Sequence, residues 1–177
     1  DYFDTLMEYL EPSLPHGIQY VASIKGENSD FVRFNQGRVR QAGSVEQGSI
    51  NLRLVSGYRH AAAGFSVSGQ IDQDRKIMAT TVDNLLQLLP VLPEDPHLML
   101  SDTVHTTEQV SENRLPLTHD VVKEIVSGAN DGPAPLDLVG IYAGGKIFQG
   151  LASSSGQRNW FETYTYNLDW CLYHSAD

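Results

Sequence analysis

Residues Trp160 to Leu172 alternate with a period of two over thirteen positions. Trp160, Tyr164, Tyr166, Leu168, Trp170 and Leu172 fall on one side, with Glu162 the exception. Phe161, Thr163, Thr165, Asn167, Asp169 and Cys171 fall on the other. Only an extended chain separates residues in this way. At ~3.3 Å per residue the run is about 43 Å long, and most strands have about five or six residues. Such a strand must bend or extend past its own sheet. Its aromatic side calls for burial under helices or for an interface, and the residues leave both open.

The rest of the chain reads as sheet with helices packed on it. Phe3, Leu6, Met7 and Leu10 have helical spacing, and Pro12 and Pro15 stop that run. Alternation then returns at Ile18, Tyr20, Ala22 and Ile24. Turns are expected at 26–30, at Gln36-Gly37, at 44–49 and at Ser56–Tyr58, with strands between them. Met78, Val82, Leu85 and Leu89 mark a second helix, with Asp72 as its expected N-cap and Pro90 and Pro93 beyond its end. Residues 90–116 are Pro-rich and polar and read as a long surface connection, with a short extended piece at 97–100. No role follows for it from the sequence. Thr118 is the expected cap of a third helix, with Val121, Val122, Ile125 and Val126 inward and Gly128 as terminator. "LDLVGIYA" reads as a central strand. The expected fold class is α+β: an antiparallel or mixed β-sheet meander with two or three packing helices, spanning 1–177 as one domain.

Charge narrows the function. With 177 residues, 41% of them hydrophobic, the chain can bury a core. Its net charge of −10 disfavours direct contact with nucleic acid, and Arg33, Arg38 and Arg40 read as solvated strand positions. No apolar run is long enough to span a bilayer and no signal peptide is visible, so no membrane partner is expected and a cytoplasmic location is the default. The single cysteine, Cys171, excludes an internal disulfide and reads as a buried structural thiol. The chain begins at Asp1, so some N-terminal sequence is expected to be missing.

No catalytic constellation emerges. His16, His60, His97, His105, His119 and His174 lack the i,i+4 or i,i+5 pairing of a helical zinc site. The serines of "ASSSGQ" lie between two strand patterns and read as a polar turn rather than a nucleophile elbow. No glycine-rich phosphate loop is present. Catalytic and metal residues are therefore expected to be none in this chain.

Two stretches carry a resemblance. "SDFVRFNQGRVRQAG" resembles the N-terminal strand–turn–strand signature of the TldD/PmbA family. "VGIYAGGKIFQGLASSSGQRNWFETYTYNLDW" resembles its second N-terminal signature, and the two occur in family order from about Ser29 to Trp170. The resemblance implies the N-terminal domain of a longer cytoplasmic protein, with its C-terminal domain outside this chain. The family, also named for modulation of DNA gyrase, is described as zinc metallopeptidases that mature or degrade peptides. Its members work as homodimers or as heterodimers with a paralogue. One branch carries a His-Glu-x-x-x-His motif and the other, a partner subunit, lacks it. That motif lies C-terminal to the matched region, so zinc is implied for the parent and none for these residues. The expected partners are a peptide substrate and a second subunit. Arg33, Arg38, Gln157 and Asn159 are the candidates for lining a substrate path, since extended peptides commonly add to sheet edges. A stand-alone binding or scaffold module is the alternative.

Overall fold

The computed structural model describes residues 2–101, 103–134 and 136–173. Its elements in chain order are α1 (Tyr2–Leu10), β1 (Gln19–Asn35), β2 (Arg38–Ser56), β3 (Arg59–Val67), α2 (Ile71–Leu88), β4 (Thr107–Val110), α3 (Thr118–Asn130), β5 (Asp137–Ser153) and β6 (Arg158–Tyr173). Short 3-10 turns follow α1 and α2. The strands hydrogen-bond in the order β3-β2-β1-β5-β6-β4. Gly48 faces Val67 and Ser56 faces Arg59 across antiparallel β2 and β3. β4 runs parallel to β6: Thr107 meets Asn159, and Ser111 N donates to Glu162 O. The sheet is therefore mixed and the class α+β.

The chain divides into two compact units. The first holds residues up to 26, 47–110 and 148–161; the second holds 27–46, 111–147 and those from 162 on. In the first unit, even-numbered Tyr20, Ala22, Ile24, Ile50, Leu52 and Leu54 are buried, as strand alternation requires. They pack with Phe3, Leu6, Met7 and Leu10 of α1 and with Met78, Val82 and Leu85 of α2. Each of the Leu, Ile, Val, Met and Phe side chains among them contributes roughly 1.5–3 kcal/mol by leaving water. The second unit buries Val32, Phe34, Leu138 and Tyr142 against Ala129, with Val121, Val122, Ile125 and Val126 half-buried beside them.

Several local expectations change. Residues 26–30 and 44–49 do not turn but continue β1 and β2. Gly26 serves close approach there: a Cβ would lie 2.4 Å from Gln47 O and from Phe148 Cζ. The polar residues between are strand positions, with Ser44 Oγ donating to Asp30 Oδ1 at 2.6 Å. Gln36 and Gly37 do form the two-residue turn, both with positive φ, 53° and 62°.

The helix starts differ as well. Gln70, not Asp72, precedes α2, without a side-chain cap, and Asp72 pairs with Arg75 at 3.7 Å. The amides before the helix are satisfied by buried Asp74, which accepts from Ser68 N and Gly69 N. Leu117 precedes α3, and Thr118 Oγ1 donates to Asp30 Oδ2 at 2.6 Å. Donation from Ser44 and then Thr118 holds the Asp30 carboxyl below its ordinary range. Helix α3 continues past Gly128 to Asn130, whose Nδ2 donates to Gly37 O at 3.0 Å.

The Pro-rich connection is pinned at its start: Asp95 N donates to Tyr58 O at 2.8 Å and Arg59 Nε to Leu92 O at 2.9 Å. Its strand lies at Thr107–Val110 rather than at 97–100.

Candidate functional site

The even-numbered side chains of β1 and β2 in the first unit are taken up by the helices. Strand alternation sends their odd-numbered neighbours to the other face. That face forms a hollow of about 780 Å³, within the range of small-ligand sites. The register across β2 and β3 places Ser49 opposite Ser66 and Asn51 opposite Gly64. Ser23 and Lys25 of β1 and Gln149 of β5 continue the lining, and Thr107, Asn159 and Phe161 complete it. Hydroxyl and amide side chains share the lining with apolar ones, among them Leu151 and Trp160. Lys25 is the only charged group lining the hollow among the described residues.

Asn159 fixes one border. Its Nδ2 donates to His105 O at 2.7 Å and to Thr107 Oγ1 at 2.9 Å. A carbonyl can only accept, so the amide orientation is determined. Its Oδ1 is buried without a donor. Asn159 also borders a second hollow of about 630 Å³, which Asp4, Glu8, Glu108 and Arg158 line.

Arg158 is held by the β5–β6 connection. Its Nη1 donates to Ser153 O and Gln157 O, and its Nη2 to Tyr20 Oη and to Glu11 Oε1. Tyr20 Oη in turn donates to Glu11 at 2.6 Å. Burial first, and then this bond to Glu11, push the Tyr20 phenol above its ordinary range. The cluster ties the end of α1 to the start of β1 and of β6.

Of the four path candidates, Asn159 lines the polar hollow. Gln157 lies in the β5–β6 connection, where its carbonyl accepts from Ser153 N at 3.1 Å. Arg33 and Arg38 are exposed strand residues of the second unit, and Arg33 reaches Gln41 at 3.4 Å. The hollow thus unites one candidate with residues the sequence reading passed over. Ser23, Lys25, Ser49 and Asn51 could have been found from their odd-numbered positions opposite a core-forming even set.

The serine turn is structural. Ser154 Oγ accepts from Tyr20 N at 3.0 Å, Ser153 and Ser155 hydroxyls bond at 2.7 Å, and Gly156 has φ 93°. Cys171 is exposed rather than buried, because β6 beyond Tyr164 leaves its side chains in solvent. Among the described residues no group of three or more His, Cys, Asp or Glu could hold a metal ion; His174 lies outside them. The residues described do not fit zinc. No helix among them is long and apolar enough to cross a membrane.

No protein-family model and no curated protein matches the sequence. Solved structures do match its fold. A candidate modulator of a DNA gyrase from Thermotoga maritima is similar over 94% of this chain, at 12% identity and a TM-score of 0.62. A second such candidate, from Bacteroides thetaiotaomicron, is similar over 97% at 13% identity and a TM-score of 0.61. TldE from Thermococcus kodakarensis is similar over 96% at 10% identity and a TM-score of 0.55. At these identities the likeness is one of fold. This chain spans 38%, 40% and 43% of the Thermotoga, Bacteroides and Thermococcus chains respectively.

Proposed function

We propose that this chain is the N-terminal, non-catalytic domain of a TldD/PmbA-type metallopeptidase of the cytoplasm, acting in peptide maturation or proteolysis. The observation that carries this is the shared fold over nearly the whole chain, which matches only about two fifths of each neighbour. The two sequence signatures point the same way. In this reading zinc and the cleaving residues belong to the remainder of the parent protein, and the present residues shape access to them.

A wall for unfolded peptides should offer hydrogen bonds without demanding a sequence. The polar face of β1, β2, β3 and β5 has that character, and Asn159 borders it. The outer half of β6 is the corresponding candidate for dimer contacts, since Tyr166, Leu168, Trp170 and Leu172 are exposed there.

Alanine substitution of Arg33, Arg38, Gln157 and Asn159 in the intact parent protein tests the path. Slower peptide turnover with unchanged zinc content is expected, and unchanged turnover rejects a lining role for these four. Metal analysis of the intact parent separates a zinc-bearing subunit from a partner subunit that cleaves only when mixed with its paralogue. Hydrolysis by the present chain alone, abolished by a chelator, would overturn the reading.

A further inference from the structure

We propose that the polar hollow of the first unit binds a carboxylate of a short extended peptide, with Lys25 as its anchor. The inference rests on the peptide reading above and adds the chemistry that holds one end of the ligand.

Lys25 is exposed on β1 and makes no hydrogen bond or ion pair with its side chain among the described residues. Arg59 pairs with Glu94, Arg75 with Asp72 and Arg158 with Glu11, and the remaining cations of the first unit, Arg53 and Lys76, do not line the hollow. Glu27, two positions further along β1, accepts from Ser29 Oγ at 3.0 Å. Lys25 therefore stands as a lone cation amid neutral hydrogen-bonding groups, in a chain of net charge −10. A neutral ligand would gain little from it. An anion would find no other charged partner lining this hollow.

Dimensions favour a peptide of a few residues. Contact of a Cβ built on Gly150 with Ile24 sets β1 against β5, which places Gln149 beside Lys25 on the opposite face. The five neighbouring strands from β3 to β6, at ~4.8 Å spacing, give about 19 Å across the part of the hollow that they line, with Thr107 of β4 beyond it. An extended chain rises ~3.3–3.6 Å per residue, so about five residues span it. Ser49 and Ser66 continue the row on one side of Lys25 and Gln149 on the other, each able to donate to or accept from a peptide backbone. The carboxylate can come from the peptide C-terminus or from an acidic side chain.

Calorimetry on this chain, with an N-acetylated pentapeptide as free acid, as C-terminal amide, and as amide containing one Glu, tests the inference. The free acid is expected to bind about fivefold more tightly than the plain amide, the scale of an exposed ion pair. Lys25→Gln should remove that preference, while Lys76→Gln on α2, with the same charge change, should keep it. Tight binding of the Glu-containing amide supports the anchor and assigns it to side-chain carboxylates; binding no tighter than the plain amide assigns it to the C-terminus. Equal binding of acid and both amides, or a preference that survives Lys25→Gln, overturns the anchor and leaves the peptide wall standing. If no peptide binds, the wall falls with it.

Discussion

Tyr2 Oη donates to Asp74 Oδ2, joining the first residue of α1 to a carboxylate inside the first turn of α2. Asp74 is fully buried. It also accepts from the amides of Ser68 and Gly69 and from Ser68 Oγ, at 3.0 to 3.1 Å. Burial alone would raise its pKa. The bonds from Tyr2, Ser68 and Gly69 outweigh burial and hold the carboxyl below its ordinary range.

Asp74 thereby contributes, with the likewise depressed Asp30, to the acid limb of stability. A carboxyl depressed in the folded state contributes stability that is complete above its unfolded value of 3.8 and is lost as pH falls through it and below. Asp74→Asn should cost about 2–4 kcal/mol at neutral pH, since it removes charge-assisted bonds and forces an amide against backbone donors. Denaturant unfolding followed from pH 7 to 2 checks this. The variant's stability should fall less steeply with acid, and an unchanged slope would show that Asp74 does not contribute to it.

Gln36 stands in the β1–β2 turn with φ 53°, a region that asparagine and glycine enter at less cost. Gln36→Asn should therefore stabilise the chain by about 0.5 kcal/mol. Gly37→Ala should destabilise it by more than that, because the added Cβ would also lie 3.1 Å from Leu136 O. Thermal unfolding of the two variants should shift in opposite directions.

Asn159→Ala should act locally. It releases His105 O and Thr107 Oγ1, but it also removes an unpaired buried oxygen. These effects partly offset, so global stability should change by only about 1 kcal/mol. Hydrogen exchange at residues 105–110 should nevertheless rise several-fold. Protection there that matches the unsubstituted chain would mean that backbone pairing alone holds β4.

Cys171 should react with a thiol reagent in the native chain at a rate close to that of a free thiol, since it is exposed on β6. Labelling that required denaturant would restore the buried position that its neighbours Trp170 and Leu172 suggest.

That mismatch shows where local pattern stops being informative. Alternation along 160–172 identifies a strand, and β6 covers it at Arg158–Tyr173. Alternation does not say which residues find a covering layer. Trp160 stacks on Phe148 with ring centres 5.5 Å apart beside the helix-packed core, while Trp170 of the same set is exposed. The helix stripes were legible because their apolar residues repeat at helical spacing. The continuity of β1 and β2 was not, because Gly26 and Gly48 resemble turn residues until the ring of Phe148 is seen over them. The polar hollow escaped for a related reason. Ser23, Lys25, Ser49 and Asn51 are ordinary solvent-side residues singly, and only strand pairing gathers them.

The exposed outer half of β6 has a bearing on how the molecule behaves in solution. Repulsion between like-charged copies vanishes near the sequence pI of about 4.9. There, Tyr166, Trp170 and Tyr173 are left to govern the encounter of one copy with another. Turbidity should consequently peak around that acidity and clear as the buffer is made alkaline, with colloidal robustness supplied by charge rather than by a wetted surface.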